Sequence, residues 1–274
     1  MPEAKELLSK DPTFTAIVGG LFGSGKTHFG FTFPKVYNIS IVDRGLEILL
    51  RKGNEDIRKN LVHYEIVNPS TDKELGEFFR KDLDMILQDV RDKAKEGKIK
   101  TILFDGFTYF VELKWRQINM DEQVKSDRTG NVDVQAMYRN LGIYLMRFVS
   151  RDLLPLTTQF GLNLVVTCHI KRESPEQIEG NKMRAGKVNK LSDISYMIEG
   201  SFRDKVGGLF GAMLFLETKV EGGKKIYYAY CDTTTGMRTL IQAKNRYGLP
   251  PVVKDVSYSK LMSSMDVKPN GGVK

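Results

Sequence analysis

The densest chemistry in this 274-residue chain lies in GGLFGSGKT, Gly19 to Thr27, immediately after the apolar run FTAIV. Glycines let successive backbone N–H groups turn inward around an anion, and a helix starting there adds its positive end. A lysine amine in that position reaches β- and γ-phosphates, and a hydroxyl beside it ligates Mg²⁺. The pattern Gly20-x4-Gly25-Lys26-Thr27, with a strand before and a helix after, therefore reads as a loop that holds a nucleoside triphosphate. Its contacts are Gly20, Gly23, Ser24, Gly25, Lys26, Thr27 and His28.

Such a loop needs a second oxygen ligand for Mg²⁺, normally a carboxylate at the end of a neighbouring strand. Asp105, closing KTILFD, fits that requirement, so Thr27 and Asp105 form the expected metal pair. Gly106 follows it, so no adjacent acid supplies a base. Asp43 and Glu47, in VDRGLE, are the carboxylates left for that role or for capping a helix. His169 ends LNLVVTCH, and a polar side chain at the carboxyl end of a parallel strand can sense a γ-phosphate.

These residues need a scaffold that brings strand ends together. FTAIVGG, VYNISIVD, KTILFDG and FGLNLVVTCH read as buried strands, and KTHFGFTF as a helix stopped before Pro34. Leu75, Phe78, Phe79, Leu83, Ile86, Leu87 and Val90 recur at three- and four-residue spacing, one apolar stripe on a helix between Asp72 and Glu96. VQAMYRNLGIYLMRFVSRDLL reads as a further helix, closed by Pro155. Near-continuous apolar strands alternating with helices predict an α/β fold, its mostly parallel central sheet covered on both faces. GAMLFLETKV, KKIYYAYCD and MRTLIQAK look like antiparallel strands towards the C-terminus. One domain is expected over 1–254, with 255–274 a flexible tail.

The formal net charge is +8, and its distribution is uneven. Through Ile170 there are 24 Lys and Arg against 23 Asp and Glu; from Lys171 onward, 18 against 11. A basic final third suits a polyanionic partner or a solubility surface. No apolar run approaches the roughly 20 residues that span a bilayer, and the start MPEAKELLSKDP has no signal core. With only two cysteines, Cys168 and Cys231, a reducing cytoplasm is expected and no membrane association.

The order of these parts resembles the RecA-type recombinase core, in the compact form of phage single-strand annealing proteins of the Sak group. GSGKT and AKNRYGLPP carry the likeness most sharply, and it runs from about Phe14 to Pro251. The resemblance implies a RecA-like P-loop NTPase fold and gives Lys244 and Arg246 the role of cations that reach into the neighbouring subunit's nucleotide. It implies that His169 stands where the family usually has Gln. It also implies a glutamate two residues after Asp43, where this chain has Gly45, with Glu47 two further on. Two segments match flexible loops that hold single-stranded DNA: Asn119 to Asp133, and the stretch after His169. The second carries Lys171, Arg172, Lys182, Arg184, Lys187 and Lys190. Cations spaced along a pliant loop suit a backbone-tracking contact without base readout.

The expected activity is that of an ATP- and Mg²⁺-dependent, single-stranded-DNA-binding recombination or annealing ATPase. Its expected form is a homo-oligomeric ring or filament, working in the host cytoplasm if phage-encoded, with a single-strand-binding protein as a further partner. The catalytic set is then Lys26, Glu47, Asp105, His169, Lys244 and Arg246. A helicase-like motor or a loader acting on nucleic acid or protein is the alternative, and a nucleotide switch or small-molecule kinase ranks below both.

Overall fold

The computed structural model describes residues 13–42, 55–129, 133–172, 194–198, 202–232 and 244–265. The strands are β1 (Thr15–Gly20), β2 (Val36–Ile41), β3 (Leu61–Val67), β4 (Thr101–Asp105), β5 (Asn163–Arg172), β6 (Ile194–Tyr196), β7 (Ala212–Glu221), β8 (Lys224–Tyr230), β9 (Lys244–Asn245) and β10 (Val252–Lys254). They form one sheet in the order β10-β8-β7-β1-β5-β4-β2-β3, with β6 added to β5 and β9 to β7. From β7 to β3 every neighbouring pair is parallel. β8, β10, β6 and β9 pair antiparallel. This is the expected mostly parallel sheet with an antiparallel C-terminal flank.

Both faces are apolar because successive strand side chains point to opposite sides. Ile17, Ile102, Phe104, Leu164 and Val166 face one core; Ala16, Val18, Leu103 and Val165 face the other. α3 (Asp72–Glu77) buries Leu75, and the first core is covered by α4 (Leu83–Lys95), α5 (Phe107–Thr129), α6 (Val134–Arg147), α7 (Leu154–Phe160) and α8 (Phe202–Leu209). The second is covered by α1 (Lys26–Phe31), α2 (Glu55–Asn60) and α9 (Tyr258–Ser264). No helix among the described residues is long and apolar enough to cross a membrane.

Several sequence expectations are corrected. The Asp72–Glu96 stripe is one helical run, opened by a Thr71–Glu74 capping box, but a π-helical turn at Phe78–Asp82 joins α3 to α4. Pro155 does not close its helix. A π-helical turn at Phe148–Leu153 leads into α7, which carries Pro155 in its first turn. The run ends at Gly161, in the left-handed region at φ 65°.

Asn119 to Thr129, expected as a flexible loop, continues α5. No Gly or Pro interrupts that stretch before Gly130, so nothing in the backbone stops the helix. Residues 255–265 are not tail: Ser257 caps α9, whose Leu261 is fully buried with Val256 and Met265 in the second core. β3 is an additional strand at the sheet edge. MRTLIQAK lies outside the described residues except for Lys244.

Candidate nucleotide site

The site gathers at the carboxyl ends of β1, β4 and β5. In the sheet Gly20 lies between His169 of β5 and Leu216 of β7, and the chain then leaves as the loop Leu21 to Gly25. Gly23 and Gly25 have φ of 74° and 88°, a left-handed backbone that side chains disfavour. Phe29 N–H bonds to the Gly25 carbonyl at 2.8 Å, so α1 begins directly on the loop. The Ser24 hydroxyl is buried and has no partner among the described residues, an orphan that a phosphate oxygen can satisfy.

Lys26 is only 8% exposed, and its ammonium is directed back over the loop. It donates to the carbonyls of Gly20 at 2.9 Å and Leu21 at 3.0 Å, and lies 3.5 Å from His169 Nδ1. Thr27 Oγ1 donates to Asp105 Oδ2 at 2.8 Å. Asp105 Oδ1 accepts from the Thr167 hydroxyl, which in turn accepts the Gly106 N–H at 3.0 Å. The buried carboxylate is therefore held at both oxygens, one by the first turn of α1 and one by β5.

His169 is fixed from three sides. Its backbone N–H donates to Thr108 Oγ1 at 2.9 Å, and the Tyr109 ring meets the imidazole edge-on at 5.5 Å. Phe22, 77% exposed at the loop tip, lies over the imidazole at 4.1 Å. His28, on α1, packs against Tyr227 of β8 at 5.3 Å.

The donor set fits the group the motif implies. A hydroxyl and a carboxylate are hard oxygen ligands suited to Mg²⁺, from Thr27 and Asp105. The loop amides, Ser24 and Lys26 suit a triphosphate. When bound, Mg²⁺ supplies charge neutralisation on the phosphates.

The structure thus brings together Ser24, Lys26, Thr27, Asp105 and His169. Lys244 and Arg246 stand elsewhere: β9 pairs with Ala212 and Met213 at the amino end of β7, whereas the loop follows the level of Leu216. Lys244, opposite Met213, stands three strand residues from the level of Leu216, about 10 Å, and Arg246 lies further still. Lys244 Nζ donates to the Gly207 carbonyl and Arg246 N–H to Gly211 at 3.0 Å. Burial, and then the nearby Arg246 charge, holds the Lys244 ammonium below its usual range.

Lys171 is exposed on β5 just beyond His169, and the Arg172 backbone ends that strand. Asp43, Glu47, Lys182, Arg184, Lys187 and Lys190 lie outside the described residues. Sequence reasoning missed Thr167, Thr108, Phe22, Thr218 and Tyr227. The hydroxyl of Thr167 inside LVVTCH was a readable signal; nothing local marks Tyr227, some 200 residues after the loop.

Comparison with known proteins bears on this arrangement. No functionally curated protein matches the chain. Among solved structures, a KaiC-like protein from the hyperthermophilic archaeon Pyrococcus horikoshii is similar at 12% identity and a TM-score of 0.34, over 85% of this chain and 81% of that one. The family model described as an AAA domain matches residues 14–247, from the first strand past the cations after Ala243. With that span laid over this loop and this carboxylate, the chain belongs to the AAA domain family and is a P-loop ATPase built on a mostly parallel α/β sheet.

Proposed function

We propose that the chain is an ATP-dependent single-stranded-DNA-binding protein of recombination or strand annealing, hydrolysing ATP between subunits of a homo-oligomer. The observation that supports this reading is the separation within one protomer. Lys26, Thr27 and Asp105 sit at one end of the sheet, while Lys244 and Arg246 sit at the other, too far to serve their own loop. Subunits stacked head to tail bring the two ends together in a ring or filament. Lys26 and the next subunit's cations then offset the charge that develops on the transferring phosphoryl group.

His169, in reach of both Lys26 and the β5 extension, links the phosphate end to the basic stretch Lys171 to Lys190. That stretch tracks the strand backbone through its cations, so binding is salt-dependent. ATP bridges subunits and favours the DNA-binding arrangement; hydrolysis removes the bridge and releases the strand. The host cytoplasm is the compartment this reading requires, with a single-strand-binding protein as a further partner.

The test is ATP turnover with and without single-stranded DNA across a salt series, with subunit mixing. Neither Lys26→Ala nor Lys244→Ala/Arg246→Ala should turn over ATP alone, and mixtures should recover activity. No recovery at any ratio refutes the shared site. Unwinding of a tailed duplex with strong strand stimulation identifies a motor instead.

A further inference from the structure

β7 and β8 do more than extend the sheet. The inner half of β7, Ala212 to Leu216, is buried and parallel to β1, and that pairing stops at Gly20–Leu216. From Glu217 to Glu221 it pairs with β8 on its way to the turn at Lys224, as a two-stranded ribbon projecting past the end of β1. The phosphate loop occupies that same end.

One rung of the ribbon meets the loop. Thr218 and Tyr227 are directly opposite in the antiparallel register, so their side chains share a face. Thr218 Oγ1 donates to the Gly23 carbonyl at 3.3 Å. The Tyr227 ring lies on Gly25 so closely that a Cβ there would sit 2.5 Å from ring carbons, and it also packs on His28. The two residues touched are the loop's two left-handed glycines, the most pliant points of the phosphate cradle.

The opposite face of the ribbon is braced. Tyr230 donates to Glu217 at 2.8 Å, and Lys219 pairs with Glu217 at 3.5 Å while lying over the Tyr228 ring at 5.1 Å. Lys254 of β10 pairs with Glu221, which also accepts from Tyr228. Val256 N–H bonds to the Tyr227 carbonyl at 3.1 Å. A ribbon fastened to β10 on one side and seated on two glycines on the other holds those glycines in place.

We infer that the β7–β8 ribbon is a clasp that pre-sets the phosphate loop, with Tyr227 and Thr218 as positioning residues for triphosphate binding. This rests on the reading of the loop as a phosphate binder. Its physical content is that the ordering entropy of Gly23 and Gly25 is already spent before a ligand arrives. The clasp acts on the cradle and is indifferent to the base.

Binding of ATP and of inorganic tripolyphosphate, each with Mg²⁺, to the full chain tests this, beside hydrogen exchange of the loop amides. Tyr227→Ala should weaken both ligands by on the order of tenfold, with KM raised and kcat changed far less. Loop exchange should rise while the melting temperature stays near wild type. Tyr227→Phe should restore affinity, since the packing is that of the ring. Thr218→Val should weaken both ligands by about threefold, the effect of losing one neutral hydrogen bond, and stands in if Tyr227→Ala does not fold. Unchanged affinity in the folded variants overturns the clasp. Loss of ATP affinity with tripolyphosphate unaffected also overturns it, making Tyr227 a base-stacking group. A wild type that binds neither ligand overturns the phosphate-loop reading and the clasp with it.

Discussion

Thr167→Val isolates the hydroxyl that joins β5 to Asp105. Valine keeps the shape and the β-branched backbone preference, so what is lost is the pair of hydrogen bonds. The hydroxyl donates to Asp105 Oδ1 and accepts the Gly106 N–H, and both Thr167 and Asp105 are all but inaccessible to solvent. A hydrogen bond to a charged group contributes about 1.5–3 kcal/mol, and the stranded N–H adds at least about 1. The sum is about 3 kcal/mol, or about 6 °C in melting temperature for a chain of this size. Thr167→Ser should regain most of it. The functional effect follows from the same atoms: a carboxylate released at one oxygen is a poorer Mg²⁺ ligand, and losing such a support typically costs about tenfold in metal affinity. Thermal unfolding of the three proteins, with Mg²⁺ titrations of ATP turnover, measures both. A Val variant within about 0.5 kcal/mol of wild type, a size usual for uncoupled surface changes, and with an unaltered Mg²⁺ requirement would refute the hydroxyl's role.

Three further outcomes are expected. Both amide atoms of Asn38 in β2 are buried without a partner among the described residues, so Asn38→Leu should stabilise by about 1–2 kcal/mol in denaturant unfolding; clear destabilisation would reveal a hidden partner. Leu261→Ala in α9 should cost about 2–4 kcal/mol, whereas a truly flexible tail would leave stability unchanged. Burial holds the Lys114 ammonium down to about 8, and its Nζ lies 3.9 Å from the Tyr144 ring centroid. The folded pKa is below the unfolded value, so the unfolded chain holds the extra proton and stability rises with pH from about 8 to about 10.5. Lys114→Met should flatten that rise in melting temperature.

What the sequence disclosed and what it hid divide along a physical line. The phosphate loop was legible because glycine, lysine and threonine must stand within a few residues of one another to do that chemistry. Asp105 was legible because it ends an unbroken apolar strand. β3 was not, because it lacks such a run: as a sheet edge it turns His63 and Glu65 towards Tyr37 and Asp89, while Val62, Tyr64 and Ile66 are exposed. Burial alone would raise Asp89, yet hydrogen bonds from Lys93 and Tyr37 more than offset it and keep the carboxylate below its usual range. Composition ranks such a polar-inward strand with loops. The latter half of α5 was hidden for the same reason, since polar helix formers resemble a charged loop until packing is known. Tyr227 and Thr218 were hidden because their importance is a long-range contact, set by a register that no local pattern encodes.

The strand order explains why β5 carries Thr167 beside the expected His169. β1 brings the phosphate loop and β4 brings Asp105, but the two strands are not neighbours; β5 lies between them. Thr27 crosses that gap from the start of α1, and the other side chains between loop and carboxylate come from the end of β5. Alternation puts residues two apart on the same face, about 7 Å from each other. Thr167 and His169 are that pair: the first holds Asp105, and the second lies beside the Lys26 ammonium. Cys168, between them, points to the other face, fully buried against Thr108 with burial pushing its thiol up to about 12, which keeps it protonated and inert. The threonine, cysteine and histidine of TCH thus have different tasks by parity alone. Exchanging Thr167 and Cys168 would leave composition intact, bring a thiol to the carboxylate, and remove both of the hydroxyl's bonds. The Mg²⁺ requirement of that double variant should move with Thr167→Val, since the position on the strand, more than the residues available, determines what reaches Asp105.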